Sequence, residues 1–164
     1  MIEIRAPEQA APADAPRRCE HLLRALPAWF GIETALVAYA AQVSTLPTAF
    51  AVDGGEIVGF MSLRQHAEQA WEIDCMAVHP LAHRQGIGRA LLDWAMRWLR
   101  ARGALFLTVR TLSPAIANDA YAATRTFYAA MGFQPLLKFD DYWSDENPCL
   151  VMLRLVAVAA PTSA

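Results

Sequence analysis

The chain has 164 residues, the right size for one domain with a core of its own. At 55% apolar and 18% charged residues it has the composition of a globular protein, which excludes a disordered chain. A formal net charge of −2 gives no electrostatic basis for binding DNA or RNA, so nucleic acid is excluded as a partner. Cys19, Cys75 and Cys149 are odd in number, widely spaced and without a CxxC pair. They read as reduced, buried thiols of a cytoplasmic protein, not as a disulfide frame or a zinc site. His21, His66, His79 and His83 show no metal-ligand spacing, so no metal is expected. The first residues lack the apolar stretch of a signal peptide, and the apolar run 150–160 is too short to span a bilayer and carries Arg154, so no membrane partner is expected.

Residues 2–5 can form a first strand, and the Pro- and Ala-rich stretch 6–16 reads as a linker free to move. Leu22, Leu23 and Leu26 have helical spacing, which predicts a helix over 17–26 that Pro27 limits. A second helix is expected over 33–42, after Gly31. Trp29 and Phe30 at the junction are candidates to line a pocket, although large aromatics most often pack in the core. Residues 48–52 and 56–63 flank Asp53-Gly54-Gly55 and predict a β-hairpin. Residues 70–78 form the next strand. Strict alternation along it places Glu72, Asp74, Met76 and Val78 on one face and Trp71, Ile73, Cys75 and Ala77 on the other.

The clearest helix is 87–102, where Leu91, Trp94, Ala95 and Trp98 make an apolar face and Arg89, Asp93, Arg97 and Arg100 a wet one. Gly103 is a natural stop. A returning strand over 104–109 makes a strand–helix–strand unit and implies parallel pairing. A loop over 111–119, a helix over 120–131 and two closing strands, 133–139 and 149–156, complete the chain. The acidic, aromatic stretch between those strands reads as a loop. Residues 157–164 are expected to be a disordered tail.

The corner between strand and helix, His83-Arg-Gln-Gly-Ile-Gly-Arg89, is an anion site by construction. The first amides of a helix have no intrahelical acceptor, and the macrodipole adds positive potential. Gly86 and Gly88 let a phosphate approach the backbone, and Arg84 and Arg89 add charge. A Walker loop is absent, and a dinucleotide fingerprint fails because its third glycine falls on Leu91.

Val78-His79-Pro80 followed by Arg84-Gln-Gly-Ile-Gly-Arg-Ala-Leu-Leu92 resembles the acyl-CoA corner of the GNAT superfamily of N-acetyltransferases, whose pattern is Arg/Gln-x-x-Gly-x-Gly/Ala. The first position of that pattern falls here on His83, beside Arg84. A second match, Thr126-Phe-Tyr-Ala-Ala-Met-Gly-Phe133, is similar to the family's Phe-Tyr-x-x-x-Gly-Phe signature. The resemblance implies one N-acetyltransferase domain over 1–164. Its fold class would be α/β (α+β), a mixed, mostly antiparallel sheet of about seven strands with about four helices.

Acetyl-CoA is the cofactor that the resemblance implies. Arg84, Gln85, Gly86, Ile87, Gly88 and Arg89 would cradle its pyrophosphate, and Met76, Ala77 and Val78 would pair with its pantetheine amides as an added strand. Tyr121 stands where many members carry an asparagine that contacts the pantetheine arm. The tyrosine that corresponds to Tyr128 places its hydroxyl near the CoA sulfur and protonates the leaving thiolate. Its phenol, with a reference pKa of about 10, is protonated at neutral pH.

An amine with a pKa of about 10.4 must lose a proton before it attacks a thioester. The resemblance implies Glu72 as the first choice to take it, since a glutamate on this strand has that role in some members, with Asp74 second, either one directly or through water. The acceptor would be a primary amine of a small molecule or peptide. Asp140, Asp141, Asp145 and Glu146 around Tyr142 and Trp143 suggest a cationic one. The protein would be a monomer or a homodimer. A non-catalytic acyl-CoA-binding sensor is the alternative, and Tyr128 with the two acids counts against it.

Overall fold

A computed structural model of the chain describes residues 1–156. The expected tail at 157–164 lies outside the described residues. The elements are β1 (Glu3–Arg5), α1 (Ala15–Arg24), α2 (Glu33–Gln42), β2 (Thr48–Asp53), β3 (Glu56–Ala67), β4 (Ala70–Val78), α3 (Ile87–Arg100), β5 (Phe106–Leu112), α4 (Asp119–Ala130), β6 (Gln134–Ser144) and β7 (Asn147–Leu155). The strands form one seven-stranded sheet in the order β1-β2-β3-β4-β5-β7-β6. Every neighbouring pair is antiparallel except β4 with β5. This is the mixed, mostly antiparallel sheet with four helices that the sequence implies.

The sheet divides the core in two. On one side α3 lays down Leu91, Leu92, Ala95 and Leu99 against Met61, Leu63, Ile73 and Leu107, and α4 adds Tyr128. On the other, Leu22 and Leu23 of α1 and Leu36 of α2 pack on Phe50, Phe60, Cys75 and Ala77. A fully buried leucine contributes roughly 1.5–3 kcal/mol, so Leu91, Leu92 and Leu99 alone anchor α3 firmly. Asp93, Arg97 and Arg100 face solvent, as the 3.6-residue period requires. In the Pro/Ala stretch, Pro12 is buried, and Glu8 accepts hydrogen bonds from Trp98 Nε1 (2.6 Å) and Arg102 (3.0 Å). All three cysteines are free and buried.

Two expectations need correction. The stretch 140–146 is not a loop. β6 continues to Ser144, which pairs with Asn147, so a tight turn on Asp145 and Glu146 joins two long strands. Pairing of Phe139 with Cys149 and of Ser144 with Asn147 holds the two ends of this stretch against β7, despite the turn preference of its Asp and Ser residues. The alternation along β4 also breaks. Ser62 pairs with Cys75 while Leu63 pairs with Ile73, so β4 carries one extra residue at Asp74. This β-bulge shifts the phase of the pleat. Trp71, Ile73, Met76 and Val78 therefore pack with the α3 cluster, and Cys75 and Ala77 with the α1–α2 cluster.

Candidate active site

β4 and β5 begin side by side and then separate. Their pairing runs from Ala70↔Phe106 to Ile73↔Val109 and stops there. β4 stays with β3 as far as Val78, and β5 stays with β7 as far as Leu112. The bulge at Asp74 bends β4 at the point of divergence. Between the two strands lies a cleft of about 960 Å³. Along its walls every second backbone amide and carbonyl faces away from the antiparallel partner and has no strand to bond.

One end of the cleft is made of backbone. Past Val78 a 3-10 turn, Pro80–Ala82, leads into the glycine corner. His83 donates from Nε2 to the Val78 carbonyl (2.7 Å), and Gln85 donates from its amide to the Leu81 carbonyl (3.2 Å). Arg84 and Gly86 both have left-handed backbone, with φ of 61° and 80°. For arginine that conformation costs about 1–2 kcal/mol, which glycine escapes.

The first backbone bond of α3 runs from Ala90 to the Gly86 carbonyl (2.9 Å). Among the described residues, the amides of Gln85, Gly86, Ile87, Gly88 and Arg89 donate no backbone hydrogen bond. The first turn holds no acidic side chain and no side-chain cap. Free amides, the helix dipole and two exposed arginines thus converge on one spot. A Cβ on Gly88 would meet Phe127 at 3.2 Å, so glycine here also lets α3 approach α4.

The other end is made of side chains. Asp74 lines the cleft with its side chain only 8% exposed. Its Oδ1 accepts from Arg64 Nε (2.8 Å), and its Oδ2 is buried without a partner among the described residues. Glu72 does not line the cleft. It is buried against Arg110 Nη2 (2.9 Å) and His66 Nε2 (3.2 Å). Burial raises its pKa, and Arg110 and His66 oppose that shift.

Tyr128 lines the cleft from α4, packed edge-on against Phe127 and Phe133. Among the described residues its hydroxyl has no hydrogen-bond partner. Burial, with a smaller contribution from Cys75, drives its pKa well above the ordinary 10. Trp29 closes the cleft from above. Its Nε1 donates to Thr124 Oγ1 (2.9 Å), its carbonyl accepts from the Tyr121 hydroxyl (3.0 Å), and its ring stands edge-on to His83.

Residues 46–135 match the acetyltransferase (GNAT) domain model. The chain belongs to the GNAT family of acetyltransferases. The matched span includes the glycine corner, the bulge and Tyr128. It excludes α1, α2 and most of the β6–β7 hairpin.

Solved structures agree on the fold. A GNAT-family protein from Desulfovibrio desulfuricans superposes with a TM-score of 0.81 at 20% identity, covering 96% of this chain and 100% of that one. The ribosomal-protein-S18-alanine N-acetyltransferase of Escherichia coli gives 0.76 at 19% identity, covering 100% and 99%. A GNAT acetyltransferase from Elizabethkingia anophelis, with acetyl-CoA bound, gives 0.70 at 17% identity, covering 94% and 97%. No curated protein matches the chain.

On this GNAT fold the cleft brings together Asp74, Met76, Ala77, Val78, Arg84, Gly86, Ile87, Gly88, Arg89, Tyr121 and Tyr128. It leaves out Glu72 and Gln85, both bonded elsewhere. With Nε2 donating to a carbonyl, a neutral His83 has only an acceptor, Nδ1, left to offer. Asn118 caps α4 by accepting from the Tyr121 amide (3.0 Å). Asp140, Asp141, Asp145 and Glu146 are exposed and outside the cleft, and the hairpin contributes Trp143 and Asn147 to it. Sequence reasoning missed Arg64, Arg110 and Tyr39. Arg110 did leave a signal, as a charged residue inside the apolar strand Phe-Leu-Thr-Val-Arg-Thr-Leu.

Proposed function

We propose that the chain is an acetyl-CoA-dependent N-acetyltransferase that acetylates a primary amine. The observation that carries this reading is the continuity of one cleft from a corner of free amides to Asp74, whose Oδ2 has no partner among the described residues. A phosphate-bearing ligand suits the first, and an ammonium suits the second.

The residues fit acetyl-CoA. The amides of the corner, with Arg84 and Arg89, would hold its pyrophosphate. The unpaired edge of β4 at Met76, Ala77 and Val78 would take its amide-bearing arm as an extra strand, with Tyr121 and Phe127 as walls. Bound there, acetyl-CoA supplies a thioester, the activated acetyl group.

Asp74 binds the acceptor ammonium through Oδ2 and takes a proton from it before the freed nitrogen attacks. Of the two candidate acids it is the one that lines the cleft. Backbone amides on the free edge of β4 stabilise the charge that develops on the carbonyl oxygen. Tyr128 gives its proton to the departing sulfur, and its raised pKa keeps that proton in place until then. A proton from the acylated nitrogen restores the phenol, so one proton is released overall.

Thermal unfolding with and without acetyl-CoA tests this reading. At a concentration 100-fold above Kd, binding adds about 2.7 kcal/mol, which for a domain of this size raises Tm by roughly 5–10 °C. Gly86→Asp should abolish that rise. Aspartate tolerates left-handed backbone, and a Cβ on Gly86 meets nothing within 4 Å, so the fold should survive. An unmoved wild-type Tm would overturn the reading. A shift without thiol release on any amine would indicate a binding module.

A further inference from the structure

We propose that the acceptor is a zwitterionic α-amino acid with a large apolar side chain; this rests on the acetyltransferase reading. The two residues immediately beyond the last β4–β5 pair, Ile73↔Val109, are Asp74 and Arg110. They carry opposite charges, and both line the cleft. Each is held on one side, Asp74 by Arg64 and Arg110 by Glu72. No ion pair within 4.0 Å joins them to each other.

Asp74 keeps a buried Oδ2 with no partner. Arg110 has five N–H groups and only one cleft-distal carboxylate, and its guanidinium also lies over the Tyr142 ring at 5.1 Å. Asp74 and Arg110, the charged side chains that line this end of the cleft, are opposite in sign, so it favours a ligand that is neutral overall with separated charges. A simple ammonium would leave Arg110 with Glu72 as its one carboxylate, and a simple carboxylate would leave Asp74 Oδ2 without a partner. Leu36, Phe30, Tyr39 and Trp143 supply an apolar, aromatic wall for a side chain. The amine would meet Asp74 and the carboxylate Arg110. A carbon–nitrogen bond then forms as the carbon–sulfur bond of the donor breaks, Asp74 takes the amine proton and Tyr128 protonates the sulfur.

The test is calorimetric titration of the CoA-saturated protein with L-phenylalanine, phenethylamine and 3-phenylpropanoate. Charge-assisted contacts predict that L-phenylalanine binds about 10- to 100-fold more tightly than either analogue that lacks one charge. Arg110→Gln should weaken L-phenylalanine by about that same 10- to 100-fold. Should that variant unfold, the three-ligand comparison on the wild-type protein decides alone. Phenethylamine binding as tightly as L-phenylalanine overturns the inference. If the wild type then still shifts with acetyl-CoA and acetylates phenethylamine, only the inference falls. Without an acetyl-CoA shift, both fall.

Discussion

The two ends of the cleft are built from different materials. The corner at Arg84–Gly88 offers backbone: free amides, two glycines and a helix N-terminus, all within a few consecutive residues. The end proposed to take the acceptor offers side chains gathered from α2, β4, β5 and the β6–β7 hairpin. Backbone recognition constrains sequence only where a Cβ would intrude or φ is positive, and it leaves a short contiguous motif. Side-chain recognition can be rebuilt residue by residue on an unchanged frame. The family match covers the corner together with Asp74 and Arg110, and it stops short of Phe30, Tyr39, Trp143 and Asn147.

Substitutions can separate the two ends. The largest expected effect is at the acceptor end. Asp74→Asn should lower kcat/KM by about 10³-fold, the range for a lost general base, while acetyl-CoA still raises Tm as in wild type. Loss of the acetyl-CoA shift in that variant would mean that the ends are not independent.

Tyr128→Phe comes next, with kcat lower by about 10²-fold and acetyl-CoA binding retained. Burial favours the neutral phenol, so its pKa moves up and its proton stays on through alkaline pH. Wild-type activity should therefore rise with pH as the amine deprotonates and hold to about pH 10, the ordinary value for tyrosine. A fall in kcat well below that pH would remove Tyr128 as the acid.

The smallest effect is at the join between the ends. Trp29→Phe deletes the bond to Thr124 and keeps the ring. It should cost about 0.5–1.5 kcal/mol, read as a Tm lower by a few degrees, with both ligand sites intact.

The legible parts of the sequence were those with local causes. The 3.6-residue period of Leu91, Ala95 and Leu99 predicts α3, and the Asp53-Gly54-Gly55 turn predicts the first hairpin, where Gly54 and Gly55 have φ of 56° and 86°. Gly86, Gly88 and Tyr128 stand in contiguous motifs. The bulge at Asp74 had no local sign, because it arises from the register against β3. Arg64 reaches Asp74 across ten residues of chain, and Trp29 reaches Thr124 across 95. Such contacts exist only once the sheet has formed. The acids of the last hairpin looked like a binding feature because charge is visible in a sequence and orientation is not.

The four-residue seam between β4 and β5 has a further consequence. Among the described residues it is the only direct strand-to-strand link between the β1–β4 half of the sheet and the β5–β7 half. Under force applied across the sheet, load would concentrate on Ala70–Ile73 and Phe106–Val109, and the cleft would act as a ready-made notch. The same geometry predicts uneven amide exchange along β4: slow where both neighbours hold it, and faster beyond Asp74, where only β3 does. A ligand lying along that free edge would splice the two halves together and even out the difference.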